Sequence, residues 1–153
     1  MPSEHIPFLH LSEMMDLENR TLPDESHIDL TFRPVSVVDH DQLKAIHDDL
    51  FPVKYSDRFF TEAVNGRGLK GGQLYTLIAL RADKIVGFIM AQFLECRTSD
   101  DTVDLFESGE EPQEVFYILT LGLTRDHRRC GLGSELVHRA VEHARLNKNC
   151  GAV

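Results

Sequence analysis

The chain has no tryptophan and only three cysteines among its 153 residues. Cys96, Cys130 and Cys150 are odd in number and widely spaced, so they make no disulfide framework, and no Cys-x-x-Cys pair offers a metal site. This usage points to a reducing, intracellular setting. Cations are in deficit: 16 Lys+Arg against 25 Asp+Glu give a formal charge of -9, which argues against a general grip on nucleic acid, since phosphate binding is driven by clustered cations. No apolar run approaches the ~18 residues of a membrane helix, so membrane contact by this sequence would be peripheral. The first thirty residues do not read as a signal peptide, because Glu4, His5, His10, Glu13, Asp16 and Glu18 interrupt them. What is present is ordinary: 42% hydrophobic and 27% charged residues, the balance of a soluble globular chain long enough for one domain.

Along the chain, residues 1–27 read as a loosely held leader, and the pattern tightens at residue 28. Ile28, Leu30 and Phe32 alternate with polar residues, predicting a first strand that ends before Pro34. Leu43, Ile46, His47 and Leu50 recur at helical spacing behind Ser36 and Asp39 as caps, and Pro52 stops that helix. A second short helix starts at Ser56 or Asp57 and carries Phe59, Phe60 and Val64; Gly66, Gly68, Gly71 and Gly72 follow as a flexible connection. Leu74–Leu80 and Ile85–Leu94, joined by a tight turn at Ala82-Asp83-Lys84, predict an antiparallel hairpin. Residues 95–114 hold eight acids and a single Arg, a solvated acidic loop. Val115–Leu123 is apolar on both alternating faces and reads as a strand buried on both sides. A basic turn, Arg125–Cys130, leads into a helix over about residues 131–147, after which Cys150–Val153 begins another strand. A buried strand followed by a helix calls for a parallel return strand. With so little of it present, the chain reads as cut off, with an edge of unpaired backbone groups and reduced stability as consequences.

The segment with chemical content is Arg128-Arg129-Cys130-Gly131-Leu132-Gly133-Ser134. Two glycines at a strand-to-helix turn let backbone N–H groups approach a ligand without hindrance from a Cβ, and the helix start adds a partial positive charge. Phosphate is the natural guest, although a glycine-rich turn with solvent-facing arginines satisfies the same residues. A Walker loop is excluded, since no Gly-Lys-Ser/Thr closes the segment. A dinucleotide fingerprint is disfavoured, since Leu136 stands where its third glycine belongs.

Arg-x-x-Gly-x-Gly between an apolar strand and a helix resembles the acetyl-CoA signature of the GNAT N-acetyltransferases. Phe51-Pro52-Val53-Lys54-Tyr55, followed by Asp57 and Phe59, and Val115–Leu123 resemble N-alpha-acetyltransferases of the NatE and NatF catalytic types, NatF more closely because of the long insertion before the Tyr-Ile strand. The resemblance covers residues 28–153. It implies an α/β (α+β) GNAT fold, a mixed central sheet flanked by helices, with its C-terminal strands missing here. It further implies that Arg129–Ser134 (Cys130, Gly131, Leu132 and Gly133 between them) wrap the pyrophosphate of acetyl-CoA with Arg128 adding charge, and that Leu121, Gly122 and Leu123 run beside the pantetheine arm. Tyr117 would be the general base, acting through water. Phe51, Pro52, Val53, Tyr55 and Leu119 would hold the peptide, with Phe51 and Val53 lining a pocket for an apolar first side chain. No metal is implied.

The resemblance implies protein N-termini of Met-Leu or Met-Lys type as acceptors, no nucleic acid, and a cytoplasmic location. Membrane contact, on the cytosolic face of Golgi or plasma membrane, would come only through a segment absent from this chain. Transfer to lysine, including histone lysines, and a truncated, non-catalytic acetyl-CoA-binding isoform stand as alternatives. The histidine that the family carries after the long helix has no counterpart here; His138 and His143 lie within that helix and read as helix-face residues. Cys130 as an acyl carrier is set against the family's direct transfer and its place in a phosphate turn.

Overall fold

A computed structural model of the chain describes residues 29–68, 71–95, 114–146 and the backbone of 150–152. The leader 1–27 and almost all of the acidic segment lie outside these residues. The elements are β1 (Leu30–Pro34), a 3-10 turn (Val37–Asp39), α1 (His40–Leu50), α2 (Asp57–Val64), β2 (Leu74–Arg81), β3 (Lys84–Glu95), β4 (Glu114–Leu123), a second 3-10 turn (Arg125–His127), α3 (Leu132–Arg145) and β5 (Cys150–Ala152). They form one mixed sheet in the order β1-β2-β3-β4-β5, antiparallel from β1 through β4 and parallel between β4 and β5.

Period-2 alternation in β2 and β3 sends side chains to two separate cores. On one face Ile78, Phe88 and Met90 meet Leu43 and Ile46 of α1 and Phe60, Ala63 and Val64 of α2. On the other, Leu77, Ala79, Ile89 and Ala91 meet Leu132, Leu136, Ala140 and Ala144, the four-residue stripe of α3. Gly87 lets α3 approach closely: a Cβ there would lie 2.7 Å from Leu123 Cδ2 and 3.3 Å from Leu132 Cδ2. The β2–β3 turn is made by Ala82 and Asp83, both left-handed (φ 47° and 62°), which matches the twist of a two-residue hairpin.

Three sequence expectations are corrected. β1 runs through Pro34, which pairs with Leu77; β1 lies at the end of the sheet, where proline's missing donor costs no ladder bond. The glycine-rich connection is a tied loop: Gly68 N–H bonds Gly72 O at 2.7 Å, and Arg67 bridges to Gln73. Gly68 and Gly72 are glycine for room, since a Cβ on either would lie 2.8 Å or less from the buried Gln92 side chain. Third, β4 is not covered on both sides, because Tyr117, Ile118 and Leu121 are exposed. Its described pairing with β5 is parallel, at Glu114–Cys150 and Val115–Ala152.

Asp39 anchors the start of α1. Its carboxylate takes both Arg33 guanidinium nitrogens (2.7 and 2.8 Å) and the Ser36 N–H and hydroxyl (2.8 and 2.9 Å). Hydrogen bonding to Arg33 holds the Asp39 carboxyl down to about 2. A depressed carboxyl contributes stability above its unfolded value near 3.8 and loses it as pH falls toward 2. Asp39→Asn is therefore expected to cost about 2 kcal/mol at neutral pH and to remove the part of acid unfolding between those values, read by thermal melts from pH 2 to 7.

Candidate active site

The site is built where β4 ends and α3 begins. Gly131, the N-cap of α3, is left-handed (φ 86°) and supplies no side-chain cap, so the backbone N–H groups of the first turn, from Leu132, Gly133 and Ser134, are not capped by a side chain. Such a helix start favours an anion. Arg129 is also left-handed (φ 62°), a conformation uncommon outside glycine and one that gathers successive N–H groups into an anion-binding concavity. Arg128 and Arg129 are both exposed. Arg128 Nε donates to Leu123 O at 3.1 Å, which lays its guanidinium against the end of β4. The Cys130 thiol donates to His127 O at 3.0 Å and packs against the α3 core, the posture of a turn-fixing residue. Leu132 is fully buried, so it can offer a ligand only its backbone.

Beside this turn lies a pocket of about 230 Å³ lined by Leu50, Phe51, Leu121, Gly122, Leu123 and Arg128. Five of the six were predicted from sequence; Leu50 was missed, because on α1 it reads only as one more apolar helix position. Gly122 keeps the pocket floor close to the core: a Cβ there would meet the Phe88 ring at 2.6 and 2.8 Å and Leu50 Cδ1 at 3.0 Å. The register between β3 and β4 slips here. Met90 faces Thr120 while Ala91 faces Ile118, leaving Leu119 as the extra residue of a β-bulge. Leu119 packs on the α1–α2 core together with Phe51. Past Val115 the β5-side edge of β4 has no strand partner among the described residues.

Tyr117 faces Gln92 across the ladder, on the α1–α2 side of the sheet, with 46% of its surface exposed. It stands four residues before Leu121, roughly 13 Å along the strand. In the α1–α2 connection, Tyr55 stacks on Phe59 (centroids 4.5 Å apart, 24°), whereas Pro52 and Val53 are exposed and do not line the pocket. Thus Phe51 and Leu119 share the α1–α2 face of the sheet, Tyr55 packs on the His47 and Phe59 rings, and Val53, predicted to line a pocket with Phe51, stands apart at 60% exposure. His138 is exposed; His143 is stacked on Tyr75 at 3.8 Å on the opposite side of the sheet and takes no part in the site. No group of three or more metal-ligating side chains occurs among the described residues.

Residues 40–153 match the acetyltransferase (GNAT) family. The chain is 30% identical over 116 residues to the histone acetyltransferase MCC1 of Arabidopsis thaliana, covering 74% of this chain and 47% of that protein. It is likewise 30% identical over 108 residues to N-alpha-acetyltransferase 60 of Danio rerio, covering 69% and 42%. The chain thus spans less than half the length of these relatives. The crystal structure of Arabidopsis thaliana NAA60 in complex with acetyl-CoA superposes with a TM-score of 0.66 at 29% identity, covering 79% of this chain and 70% of that one. A left-handed glycine turn and an uncapped α3 agree with that match: the chain belongs to the acetyltransferase (GNAT) family.

Proposed function

We propose that residues 28–153 form an acyl-transfer domain that takes acetyl-CoA and acetylates the α-amine of protein N-termini of Met-Leu or Met-Lys type. The observation that carries the reading is the adjacency of three features: the uncapped N-terminus of α3, the end of β4 at Leu121–Leu123, and the apolar pocket walled by Phe51 and Leu121. An anionic head, an amide-bearing arm and a small reactive end need that sequence of surfaces.

The residues fit such a guest. Arg128, Arg129 and the N–H groups of Gly131–Ser134 receive the pyrophosphate; the β4 edge at Leu121–Leu123 pairs with the pantetheine amides; Gly122 keeps the floor low. When bound, acetyl-CoA supplies an activated acyl thioester, and the neutral amine attacks its carbonyl directly, coenzyme A departing as the thiol. A free α-amine has a pKa near 7.7–8.0, so Tyr117, working through water, need remove only a proton that is already labile. Phe51 and Leu119 offer an apolar wall to an initiator Met, and Tyr55 lies at the margin to bond the peptide backbone. A second reading, transfer to a lysine ε-amine, draws on the name of the MCC1 relative; with a pKa near 10.4, that amine asks more of the base.

The anion-binding part is testable apart from chemistry. Reversing both charges, Arg128→Glu with Arg129→Glu, is expected to weaken acetyl-CoA binding about tenfold or more at low salt and to leave acetyl-pantetheine, which lacks the pyrophosphate, unaffected. Calorimetric titration of both ligands checks this. Equal losses for the two ligands, or none, would overturn the assignment of the turn.

A further inference from the structure

His47 is fully buried on α1, and neither ring nitrogen has a hydrogen-bond partner among the described residues. Burying such polar atoms unpaired is costly, so the position calls for a reason. Four aromatic rings enclose the imidazole: Phe51 at 4.8 Å, Tyr55 at 5.1 Å, Phe60 at 5.4 Å and Phe88 at 6.0 Å between centroids. Two belong to the core and two to the α1–α2 connection. Phe51 is tied to the same turn by its N–H bond to His47 O at 3.0 Å, and it walls the β4 pocket.

We propose that His47 is a positioning residue of the acceptor loop: neutral, it seats Phe51 and Tyr55, and its protonation releases them, so that peptide binding falls away in acid. The inference rests on the reading of Phe51–Tyr55 as the acceptor loop. The ring touches no acceptor itself and acts through the rings packed on it.

The charged surroundings give the direction. Desolvation dominates and pushes the imidazole below its ordinary range. From α1, Asp48 opposes this and Lys44 reinforces it; from the connection, Lys54 reinforces it. Lys54 donates to the Asp48 backbone O and Lys44 binds Asp48 Oδ2 at 2.7 Å, while Asp48 Oδ1 is buried without a hydrogen-bond partner among the described residues. The packing from α2 and β3 is aromatic: Phe60, with Lys44 5.4 Å above its ring and His40 against its edge, and Phe88. Neither His47 nitrogen meets an acceptor where it sits, Asp48 Oδ1 included, so a proton there is relieved only by movement of the ring and of the aromatics resting on it. With the folded value lowered, the unfolded chain binds the proton more readily, so the stability that neutral His47 contributes is present above about 6.5 and lost as pH falls below it.

The test is binding of an N-acetylated Met-Leu peptide, which has no titrating amine, to the full chain with saturating coenzyme A, by calorimetry at pH 7.5 and 5.5. The expected result is a loss of affinity at the lower pH that is absent in His47→Phe, which keeps a ring but cannot protonate. If His47→Phe melts early, His47→Met serves the same purpose. Equal binding at both pH values in the unaltered chain, or the same acid loss in a folded variant, would overturn the role of His47 alone. Absence of binding at either pH would overturn the acceptor-loop reading and this inference with it.

Discussion

Tyr117→Phe is expected to lower kcat for acetylation of a Met-Leu peptide by about 100-fold, with the KM for acetyl-CoA unchanged and the melting temperature barely moved. The substitution removes one hydroxyl from a side chain that is nearly half exposed and has no place in either core, so folding has little to lose. The phosphate-turn and pantetheine contacts proposed above lie farther along, at Leu121–Leu123 and beyond the strand end, so donor binding should not respond. A proton-transfer role also predicts that the residual rate of the variant rises with pH through the titration of the α-amine, since an amine already neutral needs no base. Steady-state kinetics between pH 6.5 and 9, with melts alongside, check all three. A kcat within a few-fold of the unaltered chain would remove Tyr117 from the mechanism.

Gly122→Val is the second large effect. The added Cβ would stand 2.6 Å from Phe88 Cε1, 2.8 Å from its Cζ and 3.0 Å from Leu50 Cδ1. Phe88 cannot step aside: it is fully buried, with the His47 ring 6.0 Å away and Phe51 6.2 Å away. Overpacking at such a site costs about 2–3 kcal/mol, or about 5–10 °C in a chain of this size. The branched side chain would also fill the pocket between Phe51 and Leu121, so acetyl-CoA affinity should fall with stability. Gly133→Ala makes the comparison: its Cβ would meet only Leu123 Cδ1 at 3.3 Å and Leu121 Cδ2 at 3.8 Å, and a helical Ala is favoured over Gly, so it should melt near the unaltered chain.

These two positions also mark what sequence could and could not show. Hairpin and helices were legible because period-2 and period-3.6 patterns are written in the residues that bury: Ile78, Phe88 and Met90 on one face, Leu132, Leu136 and Ala140 on the other. The strand-to-helix turn was legible because its glycine chemistry is local: Gly131 takes the left-handed conformation that glycine allows. Long-range packing was not legible. Nothing in the string says that Leu50 closes the pocket, that Gly68 and Gly72 make room for Gln92, or that β4 slips register at Leu119, since each depends on a partner 20 or more residues away. His47 looked like one more helix-face residue because a buried histidine and a buried leucine share the same periodicity; only the four rings around it set it apart. Even exposure misled, for an apolar strand such as β4 reads as buried whether a protein layer or a ligand is to cover it.

The most direct test of the central claim is intact-mass detection of acetyl transfer by the 153-residue chain, given acetyl-CoA and a Met-Leu peptide whose lysines are blocked. The account predicts one acetyl group on the peptide α-amine, formed by the unaltered chain and lost with Tyr117→Phe. Acetyl-CoA binding without any transfer, or transfer only to free lysines when these are restored, would contradict it.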